Sequence, residues 1–202
     1  AFRVAAKGAF ALGSVGAGTG ATTATFKGGL GSASAAASGG AKIAAIVAVN
    51  ALGSATVGDG PHFWSAPFEQ EKEFGGLGQP QRLSPDHYAM RLKGVNLKAT
   101  TIGAIVTDAV LTKAEAHRLS IMAHDGLARA LLPAHLPADG DTIFAAATGK
   151  VPLAQPAAFM ELCHLATMVM ARAVARGVFE ATALPVAGAQ KAWRDRFGQE
   201  GG

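Results

Sequence analysis

The sequence predicts a layered α/β domain, and three patterns carry that expectation. Residues 41–49, AKIAAIVAV, are apolar on both faces, as in a central strand covered from two sides. Residues 99–109, ATTIGAIVTDA, form a second β-branched, apolar run that meets no charge until Asp108. Helical spacing of apolar positions follows at 112–131 and again at 156–182, so strands and helices alternate around a shared sheet.

The chain begins with AFRVAAKGAFAL, which reads as a short or truncated helix over 1–12 that ends in glycines. From 16 to 53, β-branched and apolar runs alternate with glycine pairs. That pattern predicts strands near 20–27, 30–37 and 41–49 joined by tight turns. Gly16, Gly18 and Ala21 satisfy a GxGxxG/A spacing, yet a helix-like segment precedes them and β-branched ATTATF follows, the reverse of a dinucleotide fold. Residues 54–98 are irregular, with PHFWSAPFEQEKEF setting aromatics beside a run of charges, and Gly75, Gly76, Gly78, Pro80 and Pro85 punctuating the rest. So long an excursion reads as a lid or a subunit contact as well as a surface loop with an aromatic anchor, and 61–74 is the candidate oligomer contact.

Thr112 and Glu115 form the capping box TKAE of a helix to about residue 131, with Leu119, Met122, Ala123, Leu127 and Ala130 along one face. His117 and His124 on that helix have no acidic or sulfur companion at zinc spacing and read as solvated or capping side chains. PAHLPADGD is a loop, and TIFAAAT, 142–148, is a strand. Pro156 opens the last long helix, whose buried stripe is Phe159, Leu162, Cys163, Ala166, Val169, Met170 and Ala173. Residues 183–202 trail off, with Trp193 and Phe197 as docking side chains.

The 202 residues suit one domain, 1–202; half are hydrophobic but only 6% aromatic, and 26 glycines with many alanines imply closely packed backbones. The net charge of +4 is dispersed rather than gathered into a basic block, which argues against a nucleic-acid partner. A single cysteine, Cys163, excludes an internal disulfide and points to a reducing compartment. The N-terminus lacks a signal-peptide layout, and Glu161, His164, Arg172 and Arg176 interrupt the most apolar helix, so the expectation is a cytoplasmic protein without a membrane partner.

Chemistry centres on Thr100, at the mouth of its strand and preceded by the polar segment RLKGVNLKA. Cutting the bond between Ala99 and Thr100 unites a hydroxyl nucleophile and an α-amine base in one residue, the amine titrating near pH 7.7 to 8.0. This is the logic of an N-terminal-nucleophile hydrolase. Asp139-Gly140-Asp141 offers two carboxylates in a turn, read either as acids ordering Thr100 or as an Asx-type turn before the next strand. Asn50 ends the apolar run AAIVAVN, either as an oxyanion donor or as an ordinary strand-terminating turn. Lys27, in an uncharged stretch, demands a partner if buried, and Asp139 or Asp141 would serve.

The ordered blocks VGAGTGATTATFKGGLGSAS, AAIVAVNALG, TTIGAIVTDAVLTKAEAHRL, AHDGLARAL and HLPADGDTIFAAAT resemble the L-aminopeptidase/D-amidase/esterase family, in its threonine branch that includes the nylon-oligomer hydrolases. The resemblance spans about residues 14–148. It implies an αββα sandwich and self-cleavage between Ala99 and Thr100, with 1–99 resembling the end of an α-subunit and 100–202 a β-subunit. It further implies that Thr100 is the nucleophile, Asp139 and Asp141 the paired acids, Lys27 the catalytic-site lysine and Asn50 the oxyanion donor. Two departures stand out. Ala99 replaces the usual Asn or Gly before the nucleophile, as in the related ornithine acetyltransferases, and the family's long upstream part, with an active-site tyrosine, lies outside these residues.

The expected function is amide-bond hydrolysis on a small peptide or amide substrate, without metal or organic cofactor, in a homo-oligomer completed by an upstream segment or subunit. Acyl transfer to an amine and an inactive assembly remnant are the alternatives.

Overall fold

In the computed structural model, which describes residues 8–94, 99–154 and 156–198, one sheet organises the chain. Leu30–Ala36 (β1) and Lys42–Ala48 (β2) form an antiparallel hairpin, and β2 pairs antiparallel with Ile102–Ala109 (β3). Thr142–Val151 (β4) completes the order β1-β2-β3-β4 and lies parallel to β3. A parallel neighbour requires a crossover, and Lys113–Ala130 (α1) provides it. Pro156–Phe179 (α2) then returns across the sheet, and the short helix Trp193–Phe197 (α3) closes the chain.

Strand alternation sorts the sheet into two unlike faces. Ile43, Ala45, Val47 and Ile105 point into a core completed by Leu119, Ala123 and Leu127 of α1 and Leu162, Ala166, Met170, Ala173 and Val174 of α2. Length and composition would let α2 cross a membrane; here it is the core helix, packed on α1, β1 and β2. The Ala- and Gly-rich composition permits this close layering. A Cβ on Gly31 of β1 would stand 1.8 Å from the Ala173 carbonyl oxygen of α2, so only glycine fits there.

The opposite face is bare among the described residues. Ile46, Val106, Ile102 and Phe144 project from it, the last two 52% and 63% exposed. The central strand is therefore covered on one side, not on two as its apolar sequence predicts. One sheet and one helical layer of the expected αββα sandwich are present.

The expected strand over 20–27 is replaced by a turn, with only an isolated Thr22–Lys27 bridge. There the Thr23 hydroxyl donates to the Phe26 carbonyl at 2.9 Å and accepts from the Phe26 N–H, a local alternative to a sheet ladder. Residues 8–12 are not helical, and the rest of the helix expected over 1–12 lies outside the described residues. The capping box of α1 forms as anticipated: the Glu115 N–H donates to the Thr112 hydroxyl at 3.2 Å, and the Thr112 N–H donates to the Glu115 carboxylate at 2.7 Å.

The excursion after β2 is anchored rather than loose. Phe63 and Phe74 turn inward, Phe74 edge-on to Phe63 and Phe63 stacking on the Trp193 indole at 5.7 Å, and the Trp193 Nε1–H donates to the Pro61 carbonyl. These two aromatics of the expected 61–74 contact are thus internal. Arg172 of α2 adds a charged clasp, reaching the Glu73 carboxylate with Nε at 2.5 Å and Nη2 at 3.0 Å while Nη1 donates to the Ser34 carbonyl. The excursion is held over the helical side, and its return segment reaches the strand ends on the other.

Candidate active site

The parallel entry of β3 and β4 assembles the site. Ala99 bridges to Asp139, and the Gly140 N–H donates to the Ala99 carbonyl at 3.2 Å. One residue on, the Thr101 N–H donates to Asp141 Oδ1 at 2.9 Å, and the Thr142 N–H returns to the Thr101 carbonyl. Both carboxylates of the Asp-Gly-Asp turn are thereby set beside the Ala99–Thr100 peptide. The Thr100 N–H donates to the Asn50 carbonyl, and its hydroxyl donates to the Ala99 carbonyl at 2.6 Å. A Cβ on Gly140 would lie 2.7 Å from that hydroxyl oxygen, so the glycine between the acids leaves room for the Thr100 side chain.

The acids differ in environment. Asp141 is paired twice, with Thr101 and, at 3.1 Å from Oδ2, with His135 Nδ1. Asp139 has both oxygens withdrawn from solvent and, among the described residues, without hydrogen-bond partners. Burial first, and then the neighbouring Asp141 carboxylate, push its carboxyl up to about 6; His135 and Lys93 pull the other way.

Asn50 stands at the end of β2 with its side-chain oxygen doubly occupied, accepting from the Thr22 N–H at 3.1 Å and from the Lys93 ammonium. That fixes the amide orientation and leaves its NH2 without a partner among the described residues. Asn50 and Thr100 both line a cavity of about 550 Å³ over the bare sheet face, walled by Ala21, Leu30, Ile46 and Phe144. A carbonyl beside the Thr100 hydroxyl would meet a donor there.

Lys27 is buried, 1% exposed, but its partners are not the expected carboxylates. Its ammonium donates to the carbonyls of Gly18 at 2.9 Å, Ala21 at 2.7 Å and Gly28 at 2.8 Å. Three donors meet three acceptors, so the lysine ties together the turn that floors the cavity. Burial, then the nearby Lys93 charge, lowers its pKa to about 8, which leaves the ammonium predominant at neutral pH.

Two residues here escaped sequence reasoning. Lys93 sits in a polar segment read as exposed; burial lowers its pKa while the Asp139 carboxylate raises it. His135 belongs to the loop before the acids, where no spacing rule marks it. No cluster of three or more possible metal ligands occurs among the described residues.

Peptidase family S58 matches residues 1–192. The chain belongs to that family. An uncharacterized aminopeptidase of Mycobacterium tuberculosis is 39% identical over 199 residues, covering 93% of this chain and 57% of the relative. One of Mycobacterium leprae is 38% identical over 141 residues, covering 70% and 38%. The chain thus spans about half the length of the curated S58 relatives it matches. Among solved structures, the β-aminopeptidase of a Burkholderia species aligns with TM-score 0.66 and 22% identity over 96% of this chain and 53% of that one. The L-aminopeptidase D-Ala-esterase/amidase of Ochrobactrum anthropi, described as a variant of the Ntn hydrolase fold, aligns with TM-score 0.66 and 21% identity over 93% and 51%. The S58 chain shares that fold.

The three Lys27 contacts predict a structural penalty. Lys27→Met takes a donor from three buried carbonyls; Gly18 and Ala21 keep the N–H of Ala21 and Gly28, while the Gly28 carbonyl has no other donor among the described residues, and stability falls by about 2 kcal/mol in urea unfolding; an unchanged midpoint contradicts the assignment.

Proposed function

We propose that this S58 chain is the nucleophile-bearing part of an amide-bond hydrolase, an aminopeptidase or amide-oligomer hydrolase, with Thr100 exposed by cleavage after Ala99. The observation that carries the reading is the Thr100 hydroxyl, 2.6 Å from the Ala99 carbonyl oxygen that Gly140 also binds. Family membership and the aminopeptidase names of the relatives support the reaction class.

In the processing step Thr100 Oγ1 attacks the Ala99 carbonyl carbon. The new C–O bond forms, the C–N bond breaks, and the departing nitrogen takes the proton, leaving an ester. Water hydrolyses it to an Ala99 carboxylate and a Thr100 bearing free amine and hydroxyl. The Gly140 N–H stabilises the carbonyl oxygen as it gains charge.

In turnover the freed amine takes the hydroxyl proton while Oγ1 attacks the substrate amide, with the Asn50 NH2 donating to the oxyanion. The amine product leaves with the proton, and water, activated by the same amine, resolves the acyl ester. Asp139 has idle lone pairs for the new ammonium, and Asp141 holds the backbone of Thr101. Lys27 and Lys93 act through the floor and the oxyanion donor. The apolar cavity suits an aliphatic acyl portion.

The bare face of the sheet is where an upstream segment or a second subunit belongs, burying Ile46, Ile102, Val106 and Phe144 and closing the cavity. Residues 1–99 and 100–202 then act as the two products of one processed chain, in an oligomer.

In the full-length gene product Thr100→Ala abolishes hydrolysis of amide substrates and labelling by hydroxyl-directed acylating probes; surviving turnover refutes the proposal. Gly140→Ala displaces the hydroxyl and slows processing about 100-fold, measured as the half-life of precursor; an unchanged half-life contradicts the geometry. Asp139 works as an anion, so processing of the precursor slows as pH drops through about 6; a processing rate flat to pH 4 contradicts that role. With an amine acceptor added, a transferred acyl product marks transferase activity instead.

A further inference from the structure

We propose that His135 is a positioning residue of this site, holding and charging the Asp141–Asp139 pair from outside. The inference rests on the hydrolase reading for its kinetic consequence, and on geometry for the contact itself.

His135 approaches the turn from the loop after α1. Its Nδ1 lies 3.1 Å from Asp141 Oδ2, an oxygen without another partner among the described residues, while Nε2 faces the His124 carbonyl at 3.4 Å. Both nitrogens thus face acceptors. The side chain is 35% exposed and the Asp141 side chain 1%, so His135 is where the buried pair meets solvent protons.

The backbone is bent to make this contact. His135 has φ 59° and Ala138 φ 73°, a left-handed conformation that residues other than glycine seldom take. Two such residues within four positions hold the loop so that its histidine turns back on the acids.

The charged and titratable neighbours fall on three elements. His124 and Asp125 face the group from α1, where burial and then His135 lower the His124 pKa. Asp139 and Asp141 face it from the turn, and Lys93 from the segment before the scissile bond. Of these, His135 is the side chain that directly contacts Asp141. Through Asp141 it orders the Thr101 N–H, one peptide from the nucleophile.

The test compares His135→Ala and His135→Gln with the wild-type full-length gene product. Losing the donor in the alanine variant lowers kcat about tenfold with KM nearly unchanged. Glutamine restores the donor without the charge, so kcat recovers at pH 8 while the acid limb of the precursor-processing profile moves up by about half a unit. The same rise appears in the carboxyl NMR titration of Asp139 measured in a Thr100→Ala background, where no turnover occurs. Unmoved Asp139 titration and an unmoved acid limb overturn the proposal, even if both variants lose thermal stability. Should alanine prevent folding, the glutamine variant decides alone. Turnover surviving Thr100→Ala instead overturns the nucleophile reading and leaves the Asp139 titration to judge His135.

Discussion

The register between the entries of β3 and β4 is the constraint on which the site depends. Ala99 lies beside Asp139, Gly140 against Thr100, and Asp141 under Thr101, each fixed by a backbone contact. A slip of one residue would exchange the faces of every side chain on the strand. It would bring a carboxylate to where the hydroxyl needs the space above a glycine. The crossover through α1 and the buried apolar faces of β2 and β3 guard that register, so the core serves the chemistry by fixing alignment.

Charge at the site follows from what burial leaves unpaired. Asp141 accepts from an N–H and faces a histidine, whereas Asp139 is crowded by its neighbour and lacks donors among the described residues. Burial and the adjacent carboxylate therefore make the charged form of Asp139 costlier. A liberated Thr100 amine would give Asp139 the partner it lacks, coupling cleavage of the chain to completion of the site.

Much of this was legible in the residues. Thr100 at a strand mouth, the Asp-Gly-Asp turn and Asn50 at a strand end all mark backbone termini, and termini of adjacent strands meet in space. Lys27 was legible as a buried cation but not in its partners, because three backbone carbonyls have no sequence signature. Lys93 and His135 lie in loops where spacing carries no periodicity, so tertiary geometry alone brings them in. The apolar outer face of β2 was read as covered; its alternation is right, but the covering layer is not among the described residues. The turn at 20–27 resembles a strand in composition because threonine suits both, and the local Thr23 contacts decide against the sheet.

The central claim is that Thr100 becomes an amino terminus. Intact-mass analysis of the purified full-length gene product measures it directly. The account predicts two polypeptides that meet between Ala99 and Thr100, the second beginning with threonine. A single uncleaved polypeptide that hydrolyses amides would contradict it.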